Sequence, residues 1–130
     1  MLDFMQTEPR FYRWLHRHIR HEHPSKAIQV IHFGVRETEK GYAVYLMGQE
    51  RFDEEGTDWL QEPWDFVPGK QVFEIGPEIK SKDGWEAAVI RIRSLLLDFM
   101  KTDTYQESFF ARVKAITLGF EGSDELLRLR

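Results

Sequence analysis

The chain has 130 residues, 42% of them hydrophobic and 14% aromatic, with a net charge of −4 and no cysteine. That length falls within the roughly 100–200 residues of one domain, so residues 1–130 are expected to form a single domain that buries its own core without a metal or a disulfide. Without thiols there is no disulfide scaffold, cysteine nucleophile or thiolate zinc site, and no apolar run reaches the ~18 residues of a membrane span.

The opening MLDFMQTEPRFYRWL has an acid at Asp3 and no apolar run of signal-peptide length, so a soluble cytoplasmic protein is expected. A first helix is predicted from about Thr7. Thr7 can cap it, Glu8 suits the positive end of its dipole, and Pro9 is tolerated in a first turn. Phe11, Trp14, Leu15, His18 and Ile19 recur at helical spacing, and Pro24 closes the run. AIQVIHFGV, from Ala27, reads as a strand, ETEKG as a turn, and GYAVYLMG, Gly41 to Gly48, as a second strand. Their short connection predicts an antiparallel pair.

The segment that follows reads as loop, marked by Gly56, Pro63, Pro68 and Gly69. QVFEIG, Gln71 to Gly76, is a third strand. Asp83 can cap a helix through GWEAAVIRIRSLLLDFMK, in which Trp85, Ala88, Val89, Ile92, Leu95, Leu96, Phe99 and Met100 make a wide apolar stripe. A short helix over Glu107 to Val113 and a strand over Lys114 to Phe120 come next. Leu126, Leu127 and Leu129 return as a short strand or a final helical turn. The order α–β–β–β–α–β, with strands grouped before a helix, argues an α+β fold. The expected architecture is a mainly antiparallel sheet of four to five strands with an N-terminal helix and the long helix packed on one face.

Charge is unevenly placed. Arg10, Arg13, Arg17, Arg20 and Lys26 stand against Glu22 alone, a net of +4 between residues 10 and 26. Glu50, Asp53, Glu54, Glu55, Asp58, Glu62 and Asp65 stand against Arg51 alone, a net of −6 between residues 50 and 65. Such asymmetry speaks of partners rather than of fold. The histidines His16, His18, His21 and His23 lie among the cations. Only His18 with His21 or Glu22 has the helical spacing of a ligand pair, HExxH is absent, and neighbouring cations disfavour a divalent ion. A solvated basic helix end is expected there, with no metal and no cofactor. That helix lacks aromatic platforms on its basic face and the net charge is negative, so neither nucleic acid nor membrane is an expected partner.

The stretch FDEEGTDWLQEPWDF, residues 52 to 66, remains. Its spacing does not meet the EF-hand pattern, and the chain has no G-x-S-x-G and no phosphate-binding glycine loop. Crowded carboxylates repel one another and do nothing for a fold, whereas a binding surface gains steering from them and anchoring area from nearby aromatics. The candidate partner-binding residues are therefore Asp53, Glu54, Glu55, Asp58, Trp59, Glu62 and Trp64.

Tyr42, Val44, Tyr45 and Gly48, then Asp53, Asp58, Trp59 and Pro68, then Gly119 and Phe120 carry a further pattern. Over residues 27–130 they resemble small immunity-type proteins found beside bacterial polymorphic toxins. Gln49 departs from the small residue expected after Gly48, and Glu121 to Asp124 form a looser turn than the pattern has. The resemblance implies a non-enzymatic protein that binds and blocks a cognate toxin domain, often a nuclease, in the producing cell. The alternative is a small-ligand-binding or enzymatic domain with a carboxylate and tryptophan pocket near residues 50–69. A third reading is a homodimer joined through an open edge of the sheet.

Overall fold

Alternation along the strands puts two different sets of side chains on the two faces of one sheet. The computed structural model describes residues 7–75, 84–123 and 125–130, and of Thr7 the backbone alone. It is an α+β fold. In chain order the elements are α1 (Thr7–His21), β1 (Val30–Thr38), β2 (Gly41–Gln49), β3 (Val72–Glu74), α2 (Trp85–Phe99), α3 (Asp103–Gln106), β4 (Ala115–Phe120) and β5 (Leu126–Arg128), with 3-10 turns at Asp58–Gln61 and Phe109–Ala111. The strands form one open sheet in the order β3-β2-β1-β4-β5.

β1 and β2 are an antiparallel hairpin, paired from Val30 with Gln49 to Thr38 with Gly41. β3 and β5 add antiparallel edges. β4 runs parallel to β1, Val30 beside Ala115 and Val35 beside Phe120, so the sheet is mixed. The parallel pair follows from α2, which carries the chain from the β3 edge to the far side of β1. A crossover of that length returns a strand in the same direction.

Ile31, Phe33 and Val35 of β1, Val44 and Leu46 of β2, and Ile116 and Leu118 of β4 turn to the helices. There they join Phe11 and Leu15 of α1 and Ile92, Leu95 and Leu96 of α2 in the main core. Burying each such side chain is worth about 1.5–3 kcal/mol, so this face supplies most of the cohesion.

The Thr7 side chain and Asp83, both expected as caps, lie outside the described residues, and Gly84 at φ 88° precedes α2. The short helix expected over Glu107 to Val113 is displaced. The Thr102 hydroxyl accepts from Tyr105 N and starts α3 early, and the Ser108 hydroxyl accepts from Phe110 N and starts a separate 3-10 turn. Among the described residues no helix is long and apolar enough to cross a membrane.

Candidate functional site

The second face of the sheet carries the intervening residues: Val30, His32 and Gly34 of β1, Tyr45, Met47 and Gln49 of β2, and Ala115, Thr117 and Gly119 of β4. All are buried. What covers them is the acidic aromatic segment. Trp59 is 0% exposed and forms a small core with Val30 and Ala115, to which Phe52, Leu60 and Leu126 add. Its indole N–H donates to Gly56 O at 2.9 Å. The Gln49 side-chain amide donates to Trp59 O at 2.9 Å and Glu62 O at 3.1 Å, and Gly48 N donates to Phe66 O at 2.9 Å. Buried polar groups partnered in this way fix the loop's path over the sheet.

Trp59, expected as an anchor for a partner, is thus a structural residue. Complete burial removes it from the surface. Of the two tryptophans in the segment it is Trp64 that reaches solvent, 40% exposed and stacked on Tyr45 at 5.6 Å. Asp53, Glu54, Glu55 and Asp58 point outward from the covering loop, and Glu62 is half-buried. Two of these carboxylates are paired within the chain. Arg128 Nη1 lies 2.9 Å from Glu54 Oε1, and that hydrogen bond leads the effects that hold the Glu54 carboxyl below its ordinary pKa. Arg51 pairs with Glu62. Asp53 Oδ1 accepts from Glu55 N at 3.0 Å. The Glu55 and Asp58 side chains make no ion pair or hydrogen bond among the described residues.

Beside Trp64 the cover is incomplete. A cleft of about 300 Å³ opens between the loop, the sheet and the β4–β5 turn. His32 and Tyr45 form its floor, Trp64 and Leu60 one wall, and Glu121, Ser123 and Glu125 the opposite rim. His32 Nδ1 is 2.8 Å from Thr117 Oγ1, and desolvation pushes the imidazole down to about 4, so it is neutral at pH 7. The Tyr45 hydroxyl is pushed up to about 12, first by burial, then by the charge and hydrogen bond of Glu121, against a smaller opposing effect of Arg36. Tyr45 lies flat across Gly34. A Cβ on Gly34 would stand 2.1 Å from its ring, so only glycine permits this floor.

The histidine cluster does not assemble. His16, His21 and His23 are exposed, while His18 is 1% exposed and edge-on to Trp14 at 4.8 Å. His18 therefore departs from the solvated basic end expected of it and belongs to the apolar face. Among the described residues no group of three or more His, Asp or Glu side chains could hold a metal ion.

Sequence reasoning did not single out His32, Glu121 or Glu125 as site residues. One signal was available. YAVYLM in β2 is apolar at every position, which marks a strand covered on both faces. A histidine and two glycines on its neighbours then stand where a second cover is needed. Comparison of the chain with protein-family models, with curated proteins and with solved structures finds no match in any of the three.

Proposed function

We propose that the protein is a non-enzymatic binding protein that neutralises a basic protein partner, a cognate bacterial toxin domain, in the cytoplasm of the producing cell. One observation carries this reading. The carboxylates of residues 53–58 project from a loop that buried Trp59 and Gln49 hold in place, rather than from a free segment. A preorganised surface gives up little freedom on binding, so its charge and its aromatic area act with less entropic loss. Glu55 and Asp58 supply steering charge with no ion-pair partner among the described residues to quench it. Trp64, at the edge of the same loop, is the anchor. The toxin identity comes from the sequence resemblance alone.

The test is capture from lysate of the native host at low salt. Wild-type protein is one bait, and protein with Asp53, Glu55 and Asp58 changed to Lys is the other. One stoichiometric basic protein held by the wild type, and lost both in the charge-reversed variant and at high salt, is the expected result. Capture by neither bait, or equally by both, overturns the reading. The cleft behind Trp64 favours a second reading, a small-ligand-binding domain.

A further inference from the structure

We propose that the cleft between Trp64 and the β4–β5 turn binds a guanidinium group. Its charge is one-sided. Among the described residues that line it, Glu121 and Glu125 carry the only formal charges, and no lysine or arginine is present. His32 is neutral, and with Nδ1 taken by Thr117 it offers Nε2 to the cleft that it lines. Burial and the nearby Glu121 keep the Tyr45 hydroxyl protonated. The charged groups left to a ligand are therefore carboxylates at the rim, joined in the Nδ1–H tautomer by the imidazole nitrogen at the floor, while the Thr57, Gln61 and Ser123 side chains of the lining can donate or accept. His32 is 5% exposed and lines the cleft, so its ring belongs to a built floor rather than to the open surface.

A ligand that suits such a site carries positive charge and donates hydrogen bonds to the carboxylates. Guanidinium and ammonium both qualify, and the walls choose between them. Trp64 is stacked on Tyr45 and 40% exposed, which offers a flat aromatic face beside the carboxylates. A planar, weakly hydrated guanidinium stacks on such a face while its N–H groups reach acceptors in its own plane, whereas an ammonium keeps a tight hydration shell. The same aromatic pair already takes one guanidinium, that of Arg36, 5.9 Å from the Tyr45 ring centroid. A volume of about 300 Å³ has room for a guanidinium with its three-carbon stem. Arg36 is not among the lining residues and leaves the Trp64 side open.

The experiment is a titration of the full chain by ¹H–¹⁵N NMR with N-acetyl-arginine amide, N-acetyl-lysine amide and N-acetyl-norleucine amide. The arginine probe is expected to give saturable shifts of the Trp64 indole N–H and of the Gly119 and Gly122 amides. The lysine probe is expected to bind several-fold more weakly, and the norleucine probe to give no saturable shift. Glu121→Gln removes one charge-assisted partner and is expected to weaken the arginine probe about tenfold. Asp98→Asn, which removes the same charge from α2 on the opposite face, leaves it unchanged. Glu121 is exposed in a turn, so this variant is expected to fold as the wild type does. No saturable shift from the arginine probe, an equal response to lysine or norleucine, or full affinity in Glu121→Gln overturns the assignment. Tighter binding of a Gly-Arg-Gly peptide than of free L-arginine identifies the source as an arginine on a partner chain; the reverse order identifies a small molecule, and either order supports the guanidinium site. The captured partner is tested through Asp53, Glu55 and Asp58 and the cleft through Glu121, so either proposal can fail while the other stands.

Discussion

On one face of the sheet Phe33, Val35, Val44 and Leu46 meet two helices of 15 residues each; on the other, His32, Gly34, Tyr45 and Met47 meet a loop. The strands are the same, and the covers differ in kind. A helix satisfies its own backbone and can turn a whole stripe of apolar side chains inward. A loop cannot. Here Gln49 and the Trp59 indole are occupied in holding loop carbonyls, so few side chains remain to fill space. The helix face buries Phe33, Val35, Val44 and Leu46 to 1% exposure or less, while the loop face closes around Trp59 and stays open beside Trp64. The binding proposed above thus falls to the face with the weaker cover, as expected where positioned loops sit on a rigid scaffold.

The largest expected effect comes from breaking the weaker cover at its centre. Trp59→Ala should lower unfolding free energy by about 3–5 kcal/mol, within the range of a large-to-small change in a core. Leu95→Ala on the helix face gives the reference, at about 2–5 kcal/mol. Urea denaturation of the two variants measures both. A loss of under ~1 kcal/mol for Trp59→Ala, set against a full loss for Leu95→Ala, would show that the loop only rests on the sheet and that its carboxylates are not preorganised.

Trp59 also marks how far the sequence could be read. The α1 and α2 stripes were legible because period 3.6 comes from local geometry, and β1 and β2 because their β-branched and aromatic runs are bounded by turn residues. The core residues Phe11, Trp14, Leu15, Ile92 and Leu95 followed directly. Trp59 and Trp64 lie in a segment with no period, so nothing local separates them. Contact with Val30 and Ala115, distant in the chain, buries one, and Tyr45 supports the other at the surface. The parallel pairing of β4 with β1 was hidden for a related reason, since strand direction depends on where a crossover lands and not on the strand's own residues. The cleft was the least legible feature. Its rim comes from the β4–β5 turn, whose Glu121 gains meaning only when it reaches Tyr45.

Acid sharpens the comparison, because each face buries one histidine. His18 on the helix face and His32 on the loop face are both held down to about 4 by desolvation. For His18 the nearby Glu22 opposes that effect and Arg17 adds to it, whereas desolvation alone acts on His32, so the two faces should respond alike. In the unfolded chain each imidazole titrates near 6.5. Above that value neither state binds a proton, and the full contribution is present. As pH falls from 6.5 towards 4 the unfolded chain takes up protons that the folded chain refuses, so stability drops by up to about 3 kcal/mol per histidine. Below about 4 the loss from these groups levels off. Denaturation midpoints between pH 7 and 4 measure it, with His32→Asn and His18→Asn each expected to flatten part of the slope. An unchanged slope in His32→Asn would show that its ring is already charged or solvated in the fold.

The smallest expected effect on stability is at Trp64, and there the comparison turns from folding to binding. Trp64 is 40% exposed and shares one aromatic contact with Tyr45, so Trp64→Ala should cost less than about 1 kcal/mol of stability. For the captured partner the same change should cost at least ~2 kcal/mol of affinity, since a half-buried aromatic beside steering charges is where interface energy concentrates. Trp59→Ala should show the converse, a large loss of stability with affinity falling only as far as the loop loses its shape. Calorimetry of both variants with the partner, beside their denaturation curves, separates the two roles. A Trp64→Ala variant that melts early yet binds at full strength would make Trp64 a part of the cover, leaving the loop's carboxylates as the only partner-facing feature of that face.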